Sequence, residues 1–138
     1  MSAKDPVKYT VDGRNYTTIP LTGRDSVRLD KMVTPIVFGL GSASKNKKMS
    51  KSSIAVLLCD KLGSIDDDKF EEIRKLTFRG TMFDGSDNEK SISLEGEECY
   101  NHFEGRLIDM YSVMVAAWEA HKLTPFRMMA GPSTEGTA

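Results

Sequence analysis

The sequence predicts an α+β fold, mainly α: an N-terminal β-hairpin packed on a bundle of about four helices, the last of them long. Three observations carry this. An alternating strand pattern with Asp12-Gly13 at its centre opens the chain. Apolar residues recur with helical spacing in four segments after Pro20. The longest of these runs from Glu97 to about Lys122, before Thr124-Pro125.

The hairpin comes first, over 7–19. Asp-Gly suits a two-residue type I′ turn, because both central positions need positive φ. Closing on that turn pairs Tyr9 with Tyr16 and Val11 with Arg14. Val7, Tyr9, Val11 and Tyr16 then share one face. A lone hairpin is marginal in water, so that face is expected on a helix. Pro20 ends the ladder, since it has no N–H to donate.

The next helix is expected over about 23–41, with Thr22 or Asp25 as its cap. Leu29, Val33, Ile36, Val37 and Leu40 fall on one face. Pro35 lies inside and is expected to kink or divide it. Residues 42–53 read as a loop, in which Lys45, Lys47, Lys48 and Lys51 concentrate positive charge. Ser52 or Ser53 caps a helix over 53–62 that buries Ile54, Leu57, Leu58 and Leu62, and Gly63 closes it. A further helix covers 66–78. Asp66, Asp67 and Asp68 suit its N-terminus, where the helix dipole favours negative charge. Phe70 and Ile73 face inward. A second small hairpin around Asp84-Gly85-Ser86-Asp87 would join Thr81-Met82-Phe83 to Ser91-Ile92-Ser93-Leu94 and pair with the first.

The last helix is expected over 97–122. Its inner face is Phe103, Leu107, Met110, Met114 and Trp118. Thr124-Pro125 is expected to stop it. Residues 1–129 form one globular domain in this reading, and 130–138 a small, polar, flexible tail.

Composition narrows the function. Lys and Arg number 19 against 20 Asp and Glu, a net charge of -1, which lacks the basic excess of a nucleic-acid binder. No apolar run approaches the roughly 20 residues of a membrane span, and no signal peptide is visible. Cys59 and Cys99 read as a reduced pair. Cys99 and His102 stand three apart on a helix and could share one face, but the other two ligands of a zinc site would have to come from afar. No nucleophile elbow, EF-hand loop or phosphate-binding loop is present. No enzyme activity, metal or cofactor is expected.

Two regions are candidates for contact with a protein partner. One is the C-terminal end, with Trp118, Phe126, Met128 and Met129, because Trp and Met are enriched in interface cores. The plainer reading of Trp118 is core. The other is the Lys45, Lys47, Lys48 and Lys51 loop, which suits an acidic partner or is simply solvated. Homo-oligomerisation is left open.

The C-terminal run also carries a resemblance. His102-Phe103-Glu104-Gly105-Arg106, followed by a long amphipathic segment and then Pro125-Phe126, resembles the pattern of the tail assembly chaperones of long-tailed bacteriophages. The order of hairpin, Val27-Arg28-Leu29 helix, variable loop and Asp66-to-Glu72 helix start is similar too. The chain departs from that pattern at His121-Lys122-Leu123-Thr124, where the family has an Asn-Phe pair. The resemblance implies a non-catalytic protein of the infected host's cytoplasm, absent from the mature virion. It implies that the chain binds the phage tape-measure protein, keeps it soluble and helps deliver it to the tail tube. The major tail protein is a further implied partner. The alternative is a structural tail or baseplate component.

Overall fold

The structure, a computed structural model, describes residues 5–44, 51–86 and 88–130. The strands are β1 (Val7–Val11), β2 (Arg14–Thr18), β3 (Thr81–Phe83) and β4 (Ile92–Ser93). The helices are α1 (Gly23–Ser44), α2 (Lys51–Leu62), α3 (Asp67–Thr77), α4 (Glu98–His102), α5 (Leu107–Ala120) and α6 (Thr124–Ala130). The fold is α+β and mainly α, as predicted.

Both hairpins form and join into one antiparallel sheet, ordered β1-β2-β3-β4. Asp12 at φ 53° and Gly13 at φ 77° make the expected turn, and it sets the register of Tyr9 on Tyr16. β3 then pairs with β2, placing Phe83 opposite Tyr16 and Thr81 opposite Thr18. The hydroxyls of Thr18 and Thr81 hydrogen-bond across this seam at 2.8 Å, and the Tyr9 hydroxyl meets Thr18 at 2.6 Å. The sheet therefore buries a polar line, fully partnered, between its two hairpins.

The helices cover the inner face. Leu29, Val33, Val37 and Leu40 of α1 are buried, as their spacing predicts. They meet Ile54, Leu58 and Leu62 of α2, Ile73 and Leu76 of α3, and Met114 and Trp118 of α5 in one core. Asp66 caps α3 by accepting from the Lys69 N–H at 3.3 Å.

Arg74 of α3 is wholly buried. Its guanidinium donates to Glu71 at 2.7 Å, to the Leu94 carbonyl at 2.9 Å and to the Gly96 carbonyl at 3.3 Å. The Tyr100 ring lies 4.7 Å from its centre, and the Tyr100 hydroxyl donates to Glu71. One cation thus pins the β4–α4 link onto α3, and these bonds hold the Glu71 carboxyl below its usual range, Arg74 first.

Several boundaries differ from expectation. α1 runs undivided through Pro35 to Ser44. The missing N–H leaves the Lys31 carbonyl without its helical partner, but packing of the flanking turns carries the helix on. α2 begins at Lys51, so Ser52 and Ser53 lie inside it rather than capping it. Gly63 donates to the Cys59 carbonyl without the left-handed φ of a C′ glycine.

The largest correction concerns the long helix expected over 97–122. It is broken into α4, α5 and α6. Gly105 at φ 76° and Arg106 at φ -138° interrupt it after His102, and Lys122 at φ 61° ends α5. Phe103, Met110, Met114 and Trp118 are buried as expected, joined by Val113 and Ala117. Leu107, also expected on the inner face, is 57 % exposed, because it is the first residue of α5, at the end of the helix beside the break. Thr124-Pro125 does not stop a helix but starts α6. A proline costs nothing in a first turn, where its absent N–H would be unpaired anyway.

No helix of the described residues is long and apolar enough to cross a membrane. Lys45, Lys47 and Lys48, and the tail from 131 on, lie outside the described residues.

Candidate partner-binding surface

The His102-to-Arg106 run forms the junction of α4 and α5. Gly105 makes the turn in a conformation that costs a residue with a Cβ roughly 1–2 kcal/mol. Phe103 is driven into the core. The His102 ring lies 4.5 Å from that of Phe83 and 4.6 Å, edge-on, from that of Phe103. Its Nε2 shares a 2.8 Å hydrogen bond with the Tyr16 hydroxyl. Arg106 donates to the His102 carbonyl, and at 3.1 Å to Asp109. Its guanidinium stands 5.5 Å from the centre of the Phe103 ring. The motif residues therefore clasp the α4–α5 junction to β2 and β3.

The electrostatics of the clasp follow from its packing. Burial, then the positive charges of Arg106 and Arg14, push the His102 imidazole down to about 4. A base with so low a pKa stays neutral and carries few protons near neutral pH. The Asp109 carboxyl is raised, by burial first and then by the neighbouring Asp12.

The C-terminal end is tied down by a second polar set. Trp118 is fully buried, and its Nε1–H donates to Thr77 Oγ1 at 2.8 Å. His121 is buried beside it. Its Nδ1 accepts from the Leu21 N–H at 3.1 Å, so Nε2 carries the proton and donates to the Thr77 carbonyl at 2.8 Å. Both ring nitrogens are thus used by the neutral form, and burial lowers the pKa. Phe126 closes over this set, its ring 6.4 Å from Trp118.

Of the residues expected to meet a partner, Trp118 and Phe126 are therefore core. Met128, on α6, is 65 % exposed and remains a surface candidate. The side chains of Met129 and Lys51 lie outside the described residues, as do Lys45, Lys47 and Lys48 entirely. Met110 and Met114 are inside, as their spacing predicts.

A different groove is present. Asp30 of α1 receives the start of α6: Thr124 Oγ1 donates to its carboxylate at 2.8 Å, and the Thr124 N–H lies 3.4 Å from both oxygens. Thr34 donates to the same carboxylate. Beside this contact runs an open groove of about 450 Å3, lined by Val27, Asp30, Lys31, Thr34, Pro35 and Thr124. Val27 is 60 % exposed, and Phe38, one turn beyond Thr34 on the same stripe, is 47 % exposed. A largely apolar stripe, with Lys31 within it and Asp30 at its side, can hold the apolar face of another helix.

Sequence reading missed this stripe. Its signal was available: at 100° per residue, Val27 and Phe38 point away from the Leu29-Val33-Val37 face. Large apolar residues out of phase with their own helix's buried face mark a second contact surface.

Among the described residues, no group of three or more His, Cys, Asp or Glu side chains could hold a metal ion. Cys59 is exposed and Cys99 buried, both free, and burial pushes the Cys99 thiol up to about 11. Comparison with protein-family models, curated proteins and solved structures found no match to the chain.

Proposed function

We propose that the protein is a non-catalytic tail assembly chaperone of a long-tailed bacteriophage. It binds the tape-measure protein in the host cytoplasm, keeps its helical segments soluble, passes them to the assembling tail tube and is left out of the finished virion. The observation that carries this reading is the His102-Phe103-x-Gly105-Arg106 run with Pro125-Phe126 downstream. The stripe of Val27, Thr34, Pro35 and Phe38 adds physical support. A holder of aggregation-prone helices needs an apolar strip to cover them. It also needs a charged side and modest area so that tail protein can displace it.

The test is capture from phage-infected cells with the tagged chain. Tape-measure protein should be recovered, and Val27→Lys with Phe38→Lys should abolish its recovery while far-UV circular dichroism stays unchanged. Stoichiometric presence of the chain in purified virions, with no tape-measure protein captured, would overturn the reading in favour of a structural tail component.

A further inference from the structure

The link between β2 and α1, residues 19–22, is tied to the fold at two points. At the first, the Ile19 N–H donates to the Gly80 carbonyl at 2.8 Å. A Cβ on Gly80 would stand 2.6 Å from the Ile19 carbonyl oxygen, so the two stretches of backbone touch there and glycine is required. At the second, the Leu21 N–H donates to His121 Nδ1 at 3.1 Å. Pro20, between them, has no N–H to offer. Beyond Leu21, Thr22 and Gly23 are exposed, and Gly23 turns into α1 at φ 61° with open space where a Cβ would stand. Among the described residues, the Leu21 bond is the last tie of the link's N–H groups before α1 begins.

His121 holds Leu21 only as a neutral ring. It lies at the C-terminus of α5, and its Nε2–H donates to the carbonyl of Thr77, the last residue of α3, at 2.8 Å. Nδ1 is then the one nitrogen with a lone pair, and a second proton has nowhere else to go. That proton sets one N–H against another, and the contact with Leu21 cannot survive it. The Thr77 bond gains instead, because a helix C-terminus favours a cation. Burial lowers the His121 pKa from its ordinary 6.5, and the Thr77 bond opposes that shift. Charged groups of the surrounding elements are engaged elsewhere. Asp25 pairs with Arg79, Asp30 receives Thr124 and Arg74 pairs with Glu71. Glu119 and Lys122 line the groove beneath β1, and Arg127 is exposed.

We propose that His121 is a proton-operated latch on this link. Protonation of Nδ1 frees the Leu21 N–H and lets residues 21–23 leave the corner of α3 and α5, while the sheet and the helices stay folded. One hydrogen bond and one half-buried side chain are given up, so the opening is local. The neutral form is the latched one. The latch is therefore closed above about 6.5, and its open fraction rises up to about tenfold for each pH unit below that, down to the lowered value.

Amide hydrogen exchange of the full chain, followed by NMR between about pH 7.5 and 5, tests this. The Leu21 protection factor should fall up to about tenfold per pH unit below about 6.5. Low urea should leave it unchanged, since local opening exposes little surface. Leu29 and Val33, on the buried face of α1, should be far better protected and should respond to urea. His121→Gln should remove the pH dependence at Leu21. His102→Gln, which changes acid stability as a whole, should leave it in place. In the wild-type chain the Leu21 amide signal should move together with the His121 ring signals, so the test stands even where a variant fails to fold. A Leu21 protection factor that follows Leu29 and Val33 in urea, ignores pH, or keeps its slope in His121→Gln overturns the latch. So does a His121 ring that titrates without moving the Leu21 amide.

Discussion

Acid should unfold this protein earlier than its carboxylates require, and His102 sets the size of the effect. Its imidazole is ordinary in the unfolded chain, near 6.5, and is held at about 4 in the fold. The neutral form is the one the fold prefers. Its contribution is therefore complete above about 6.5, is lost as pH falls below that value, and stops changing below about 4. Between pH 7.5 and 5, linkage for this interval costs up to about 2 kcal/mol, and solvent at the partly exposed ring trims it toward about 1 kcal/mol. His121 adds in the same direction, because protonating Nδ1 would set a donor against the Leu21 N–H. Urea unfolding at pH 7.5 and 5 measures the loss and stays above the range where Glu71 protonates. His102→Gln keeps a polar partner for Tyr16 but cannot titrate, so it should lose only the His121 share over the same interval. A wild-type protein equally stable at both pH values would refute the reasoning. So would a His102→Gln variant that keeps the whole slope.

Other outcomes follow from the packing. Trp118→Ala should cost about 3–5 kcal/mol in urea unfolding, since it empties a fully buried site and leaves the Thr77 hydroxyl unpartnered. Arg74→Ala should cost about 3–5 kcal/mol by the same measurement, because Glu71 and the Leu94 and Gly96 carbonyls lose a buried partner. Asp30→Ala should cost only about 1 kcal/mol, as for a lost helix cap. Hydrogen exchange should show that loss concentrated in α6, with α5 amides little changed.

The parts legible in the sequence are those whose causes lie within a few residues. Asp12-Gly13 specifies its turn by positive φ, and the turn then dictates every pair of the first hairpin. Asp66 caps α3 through its own backbone neighbourhood. The Leu29-Val33-Val37 face of α1 is a matter of period, and it is buried as the period demands. The same locality explains the failures. The helix expected through Gly105 is broken there, because nothing local says that the chain must turn between Phe103 and Leu107. Proline before a phenylalanine reads as a stop, because local sequence does not show that Asp30, far away in the chain, will receive a new helix at Thr124.

The sequence by itself thus determined an α+β, mainly α chain with a defined hairpin and the buried face of α1. Only the tertiary structure decided that Trp118 and Phe126 are core rather than contact surface. It alone buried Arg74 as the pin of the β4–α4 link and, among the described residues, left Val27 and Phe38 exposed on one stripe of α1. The physical reason is that burial belongs to pairs of surfaces. A sequence states which face of an element is apolar, but which apolar faces find each other, and which are left over, depends on how all the elements pack at once.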